Sequence, residues 1–408
     1  MKSILIIVPY DEVYPPMNGG MQRCFNIIHQ LAKYFELTLI TNQSKETFLT
    51  ATKEYPAIAG VQVYSTKDEL PIKDVFSLLP GKLQNALRYR WYKKQYKGPA
   101  DGLFLQYYPV LLKLLKRRKY DTIVLENLAS LNAVSTIRRF DKAVKIVYDA
   151  HNVDSNLAAV AVEKWAMKKE HLHLINKEER ELYKTVDAIL TCSKEDLCDF
   201  VKMNHNKLPG VVIPNGVSVA GQLFDRGVHE DVPGYILFCG TLWSTPNSEG
   251  LLWFYQSIWP TIRKSFPQIK LLVVGSGKIP YSLQSLVNDA SLQFTGAVED
   301  VKPWYNKSAV AIVPLLSGSG TRLKILEAMA LGLPVISTSK GAEGITYTNG
   351  SDIVIADSET GFAGAVISLL KSKEDRLAIQ QAARKLIEEK YDWNIVGASL
   401  YTYLNTMN

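Results

Sequence analysis

The sequence predicts an α/β protein made of two doubly wound parallel-sheet domains, and three observations carry that reading. At 408 residues the chain exceeds the roughly 250–300 residues at which a single hydrophobic core stops growing. Short apolar runs alternate with helical patterns along nearly its whole length, the order that covers both faces of a parallel sheet with helices. Between two such series, Pro214-Asn215-Gly216-Val217 opens a polar stretch that runs through Pro233-Gly234, rich in turn residues and without periodicity, which marks a linker.

The first series predicts strands at residues 3–8, 37–41, 122–126, 145–149, 188–191 and 210–213. Helices are expected over 21–34 and, as one long polar segment, over about 163–184. The second series restarts at 235–238 and continues at 270–274, 293–294, 309–313 and 334–337. The expected domains are 1–213 and 214–389, with a last helix within 390–408 packing back on the first domain. Ligands of such sheets bind beyond the carboxyl ends of the strands, so the loops that follow strands are where chemistry is expected.

A composition of 47% hydrophobic and 21% charged residues excludes a disordered chain, and no apolar run approaches the roughly 18 residues that span a bilayer. The N-terminal run Ile4-Leu5-Ile6-Ile7-Val8 is short, ends in Pro9 and meets Asp11-Glu12, so it reads as a buried strand rather than a signal peptide. Cys24, Cys192, Cys198 and Cys239 form no CxxC pair and have no His cluster of metal-ligand spacing nearby. They read as reduced core thiols of a cytoplasmic protein. A net charge of +7 suits nucleic acid, anionic lipid or phosphate-bearing small molecules and does not choose among them. The basic and aromatic stretch from Leu87 to Lys97, with residues 113–119 near it in sequence, can lie on anionic lipid as a peripheral membrane contact, although a solvated helix face is the preferred reading.

The chemistry concentrates in Pro314-Leu315-Leu316-Ser317-Gly318-Ser319-Gly320-Thr321-Arg322-Leu323-Lys324-Ile325-Leu326-Glu327. A strand end, a glycine-rich loop and a helix start let backbone N–H groups approach an anion closely. Arg322 and Lys324 add the charge a diphosphate requires, since hydrogen bonds to charged groups contribute about 1.5–3 kcal/mol each. Taken alone, such a stretch is a tight turn with solvated cations; strand, glycines and cations together favour phosphate binding.

This segment, with Glu327-Ala328-Met329-Ala330-Leu331-Gly332-Leu333-Pro334-Val335, resembles the donor-binding region of the group 1 (family 4) glycosyltransferases, retaining enzymes of the GT-B fold. The resemblance covers essentially the full chain, with Gly19-Gly20, Asp149-Ala150-His151-Asn152, Pro214-Asn215-Gly216 and Gly240-Thr241 in the family's order. It implies two Rossmann-like domains facing across a cleft, and transfer from a UDP- or GDP-sugar to a glycan or lipid-linked acceptor. It also implies no cofactor, no metal and no nucleic-acid partner.

By the same resemblance Glu327 accepts from the donor ribose hydroxyls, and His151 contacts the transferred sugar. Gly19 and Gly20 approach the donor phosphates and acceptor, Gly240 and Thr241 close over the diphosphate, and Val298 lies in a turn that reads the base. Arg322 and Lys324 stabilise the departing nucleotide. The chain departs from the commonest family pattern in lacking the arginine and lysine that follow the Gly-Thr position and the first glutamate of the EX7E pair, where Ser319 stands. Its contact falls to Ser319 or to the N–H groups of Gly318, Gly320 and Thr321.

Two other readings stay open. One is a nucleotide-sugar epimerase on the same two-domain plan; the other is an inactive sugar-nucleotide-binding subunit, made thinkable by Ser319. Val274-Gly275-Ser276-Gly277 lacks the third glycine and the ribose-binding acid of a dinucleotide fingerprint.

Overall fold

The computed structural model describes residues 1–10, 12–68, 104–164, 169–219, 234–275, 277–318 and 320–407. The chain divides into two compact units: Met1–Pro214 together with Gly397–Asn408, and Asn215–Val396. Ser276, Ser319 and the stretch from Leu87 to Lys97 lie outside the described residues.

In the first unit β1 (Ser3–Ile7), β2 (Glu36–Thr41), β3 (Gln62–Ser65), β4 (Thr122–Glu126), β5 (Lys145–Ala150), β6 (Ala188–Thr191) and β7 (Gly210–Val212) pair in the order β3-β2-β1-β4-β5-β6-β7. All described pairings are parallel. Every residue of β1, β4 and β6 is buried. Strands covered on both faces must be apolar throughout rather than alternating, which is why these runs were legible as strands.

The second unit repeats the plan with β8 (Tyr235–Cys239), β9 (Lys270–Val274), β10 (Leu292–Gly296), β11 (Ser308–Val313), β12 (Val335–Ser337) and β13 (Val354–Ile355), ordered β10-β9-β8-β11-β12-β13 and again parallel.

Four local differences from the sequence expectation have physical causes. Neither β3 nor β13 was expected: both are short strands at a sheet edge, and β3 is only partly buried, so neither makes a continuous apolar run. The first helix spans Gly19–Ala32, because the Asn18 side chain accepts from the Met21 N–H and caps it before the glycines. Gly19 and Gly20 are therefore its first turn and not a loop ahead of it. The expected long polar helix is instead Asp154–Lys164 and Lys169–Arg180, followed by the 3₁₀ turn Leu182–Lys184. The Glu179 carboxylate accepts from the N–H groups of Asp154 and Ser155 at 2.7 and 3.0 Å, so a side chain 25 and 24 positions downstream starts the first of these helices. Finally, Cys198 is exposed and so is not a core thiol.

The last helix, Trp393–Thr406, belongs to the first unit from Gly397 onward. There Tyr401 stacks on Tyr34 with centroids 4.5 Å apart, and Leu400 and Leu404 are buried. No helix among the described residues is long and apolar enough to cross a membrane.

Both sheets reverse their direction of strand addition once, at β1 between β2 and β4, and at β8 between β9 and β11. The crevice at such a reversal is where an open parallel sheet takes its ligand. In the first unit a fully buried ion pair braces that edge: Arg23 holds Asp149 through Nη2–Oδ1 and Nε–Oδ2 at 2.6 and 2.9 Å, and its Nη1 donates to the Ile213 carbonyl at 2.8 Å.

Breaking a buried pair leaves an uncompensated charge, whereas replacing both partners by apolar groups does not. Arg23→Met should therefore lower unfolding stability in urea by about 3–5 kcal/mol, and the Arg23→Met/Asp149→Leu double variant should recover much of it. Equal losses in the single and double variants would show that the pair is not coupled.

Candidate functional site

In the second unit the loop after β11 carries Gly318 and Gly320 at φ +105° and +76°, in the left-handed region that favours glycine. Arg322 is the N-cap position of the helix Leu323–Ala330 and supplies no side-chain cap to it. Its guanidinium folds back over the loop, with Nη1 donating to the Gly320 carbonyl at 2.7 Å and Nη2 lying 2.8 Å from where a Cβ on Gly318 would sit. The Thr321 hydroxyl is buried with no hydrogen-bond partner among the described residues.

Lys324, in the first turn of that helix, reaches the loop after β8. Its Nζ donates to Asn247 Oδ1 at 2.7 Å and lies 5.3 Å from the Phe238 ring centroid. Asn247 Nδ2 in turn donates to the Thr241 carbonyl at 2.9 Å, so one amide ties the lysine to the Gly240-Thr241 loop. A Cβ on Gly240 would stand 2.6 Å from the ammonium. Burial pushes the Lys324 ammonium down to about 8, with the Arg322 charge acting in the same direction. Burial pushes the Glu327 carboxyl up to about 7 against the pull of Lys324. Tyr305, fully buried, adjoins Glu327 and Cys239.

The structure thus brings Gly318, Gly320, Thr321, Arg322, Lys324, Glu327, Gly240 and Thr241 to the reversal of strand order at β8 and β11. Val298 follows β10, the edge strand, and packs half-buried on the apolar cluster that includes Leu237, Val313 and Leu326. Sequence reasoning did not single out Asn247 as a site residue; its position two residues after the helix-starting Thr245-Pro246 was the available signal.

In the first unit the corresponding edge holds His151, which follows β5. Its Nε2 lies 2.9 Å from Glu126 Oε2, at the end of β4, and its Nδ1 lies 3.2 Å from Tyr10 Oη, in the loop after β1. Asn127 Nδ2 donates to Tyr10 Oη at 3.2 Å, and Cys24 Sγ donates to Glu126 Oε2 at 3.3 Å. A Cβ on Gly20 would meet Tyr10 Oη at 2.7 Å and His151 Nδ1 at 3.4 Å, while Gly19 is exposed at the start of the helix. Burial and the neighbouring Asp149 raise the Glu126 carboxyl above its ordinary range. Burial likewise pushes Asp154 up to about 6.

Sequence spacing showed no metal-ligand cluster, yet the fold gathers one candidate set among the described residues: the ligand atoms of Cys24, Glu126 and His151 all lie within 4.8 Å of one another. These atoms already hydrogen-bond to each other, which gives the set a use without an ion. Tyr10, Glu126 and Cys24 were not among the expected site residues. The three strands that position this group are separated in sequence by helices and loops, and no local pattern marks the contact.

Comparison with known proteins bears on the family and the fold. Residues 18–220 match the family model described as Glycosyltransferase Family 4, and residues 233–372 the model described as Glycosyl transferases group 1. The chain is 26% identical to an uncharacterized 44.6 kDa protein in the cps region of Klebsiella pneumoniae, over 97% of this chain and 98% of that protein. It is 28% identical to the GDP-mannose-dependent monoacylated alpha-(1-6)-phosphatidylinositol monomannoside mannosyltransferase of Corynebacterium glutamicum, over 36% of this chain and 42% of that one. Among solved structures, sucrose-phosphate synthase from Thermosynechococcus elongatus aligns with a TM-score of 0.73 at 14% identity. HepE of Anabaena in complex with UDP and glucose aligns with a TM-score of 0.68 at 12% identity; both alignments cover 100% of each chain. With both halves matched by its models and the whole chain aligned to its fold, the protein belongs to the group 1 (family 4) glycosyltransferases and has the GT-B fold.

Proposed function

We propose that the protein transfers a sugar from a UDP- or GDP-sugar to a glycan or lipid-linked acceptor with retention of anomeric configuration. The observation that carries the donor half of this reading is the pair of cations beside a glycine loop at β8 and β11. Lys324 is held by a neutral amide and Arg322 by a backbone carbonyl, so both hydrogen bonds leave the positive charge for an anion. In this assignment the protein's own cations neutralise the diphosphate. Glu327, one helical turn beyond Lys324, receives the ribose hydroxyls, and the Gly240-Thr241 loop lies against the phosphates.

Relatives support both bases: the Corynebacterium enzyme is named for GDP-mannose, and the Anabaena structure holds UDP. The acceptor hydroxyl attacks from the face the nucleotide leaves, a donor phosphate oxygen takes its proton, and His151 contacts the transferred sugar. No protein nucleophile is required. Rate then comes from alignment and from stabilising the leaving diphosphate. An epimerase would need paired acid and base groups at the sugar ring and no acceptor, so product analysis without acceptor separates the two.

The first test is a thermal-shift panel of UDP, GDP, ADP and their sugar conjugates. One base series should raise the melting temperature, because a ligand at a hundredfold excess over its Kd stabilises by about 2.7 kcal/mol. Arg322→Ala, checked by circular dichroism for an intact fold, should weaken that ligand at least about tenfold and remove most turnover. No shift with any nucleotide, or near-normal activity in Arg322→Ala, would overturn the assignment.

Affinity should also follow pH. Lys324 carries its charge below about 8 and loses it above, so diphosphate affinity falls as pH rises through that value. Glu327 is ionised above about 7 and becomes a poorer acceptor below it, so affinity falls again on the acid side. Titration calorimetry should give an optimum between these values. The unliganded protein should behave oppositely on the alkaline side. A lysine whose folded pKa is depressed binds fewer protons than the unfolded chain between about 8 and 10.5, so stability rises with pH across that window.

A further inference from the structure

The hydrogen bonds around His151 have only one self-consistent direction. Asn127 Oδ1 accepts from the Ala129 N–H at 3.3 Å, which leaves its Nδ2 to donate to Tyr10 Oη. Tyr10 Oη has one proton of its own, and among the described residues its other recorded partner is His151 Nδ1. If Nδ1 carried a proton, Tyr10 Oη would receive two donors and its own proton would have no acceptor among the described residues. An accepting Nδ1 puts the imidazole proton on Nε2, which faces Glu126 Oε2 at 2.9 Å. Oε2 is also the atom to which Cys24 Sγ donates, as expected of an accepting carboxylate oxygen.

We infer that Glu126 is a positioning residue for His151: it holds the imidazole as the Nε2–H tautomer, so that Nδ1 accepts a hydrogen bond from a hydroxyl. In the unliganded protein that hydroxyl belongs to Tyr10; in the working enzyme it belongs to the sugar. His151 therefore selects a substrate that donates a hydroxyl at this position and discriminates against the corresponding deoxy or O-alkylated sugar. Glu126 is suited to the task because it is fully buried on β4, one parallel strand from His151, and cannot be drawn off by solvent. Gly20 completes the arrangement, since any side chain there displaces the Tyr10 hydroxyl from Nδ1. The role of the sugar rests on the proposed transfer reaction, but the tautomer does not.

Nitrogen-15 NMR of imidazole-labelled protein, without substrate, reads the tautomer directly. Wild type should show a protonated Nε2 and an unprotonated Nδ1 for His151. Glu126→Gln should shift the population toward Nδ1–H. Tyr10→Phe, which removes only the hydroxyl, should keep Nε2–H and provides the reading should Glu126→Gln fail to fold. In transfer assays Glu126→Gln should lower kcat about 10- to 100-fold with the donor KM nearly unchanged, and Glu126→Asp should restore part of the loss. A wild-type Nδ1–H tautomer, a loss of Nε2–H in Tyr10→Phe, or a metal ion found on Nε2 in the purified protein would overturn the inference. The expected tautomers in a protein that shows no transfer would instead sink the proposed reaction and leave the positioning intact.

Discussion

Each sheet grows outward in two directions from one central strand, and this reversal decides where the protein places its polar interior. At β1 and at β8 the connections diverge to opposite faces, so the carboxyl edge beside each is left without a covering crossover. The central strands are otherwise buried along their length and largely apolar. Buried or half-buried charged groups gather at these two edges: Arg23, Glu126 and Asp149 in the first unit, Arg322, Lys324 and Glu327 in the second. Burying such groups is costly unless they are paired or meet a ligand.

The two units meet that requirement differently. The first pairs its charges internally: Arg23 donates to Asp149 in three hydrogen bonds and to a backbone carbonyl in another, and Glu126 Oε2 is shared between His151 and Cys24. In the second, the hydrogen bonds from Arg322 Nη1 and Lys324 Nζ go to uncharged acceptors, with Glu343 and Glu327 acting on them through their charge. Glu327 and Cys239 pull the Lys324 pKa upward, but its hydrogen bond goes to the neutral Asn247, and burial outweighs that pull. A group arranged this way is poor at stabilising the empty protein and well placed to receive an anion, which is the division expected of a nucleotide-binding unit.

Legibility in the sequence followed the range of each interaction. The central strands were readable because burial on both faces writes a continuous apolar run, whereas β3 and β13 are edge strands that bury too little to write one. The phosphate loop was readable because glycines, cations and helix start are contiguous between Gly318 and Lys324. The capping of Asp154–Lys164 by Glu179 and the ties of Arg23 to Asp149 and Ile213 were not, since the partners stand 25, 126 and 190 positions apart. The same holds for Tyr10, Glu126 and Asn247, polar residues with partners far away in sequence at His151 and Lys324. His151 was found through family resemblance, but the state of its ring is decided by neighbours no local pattern names.

The glycines show how far a local rule carries. Glycine can be required either for a backbone that other residues rarely adopt or for the space its missing side chain leaves. Gly20, Gly240 and Gly275 do not adopt the left-handed backbone that requires it; of the site glycines only Gly318 and Gly320 do. What these three require is space. A Cβ would stand 2.7 Å from Tyr10 Oη at Gly20, 2.6 Å from Lys324 Nζ at Gly240 and 1.9 Å from the Gly240 carbonyl oxygen at Gly275. The first two obstructions are ends of side chains and the third is backbone. Gly275 therefore sets how closely the loops after β8 and β9 approach, while Gly20 and Gly240 each leave room for one polar atom. Alanine at Gly275 must move a strand end; at Gly20 or Gly240 it can leave the fold in place and displace the Tyr10 hydroxyl or the Lys324 ammonium.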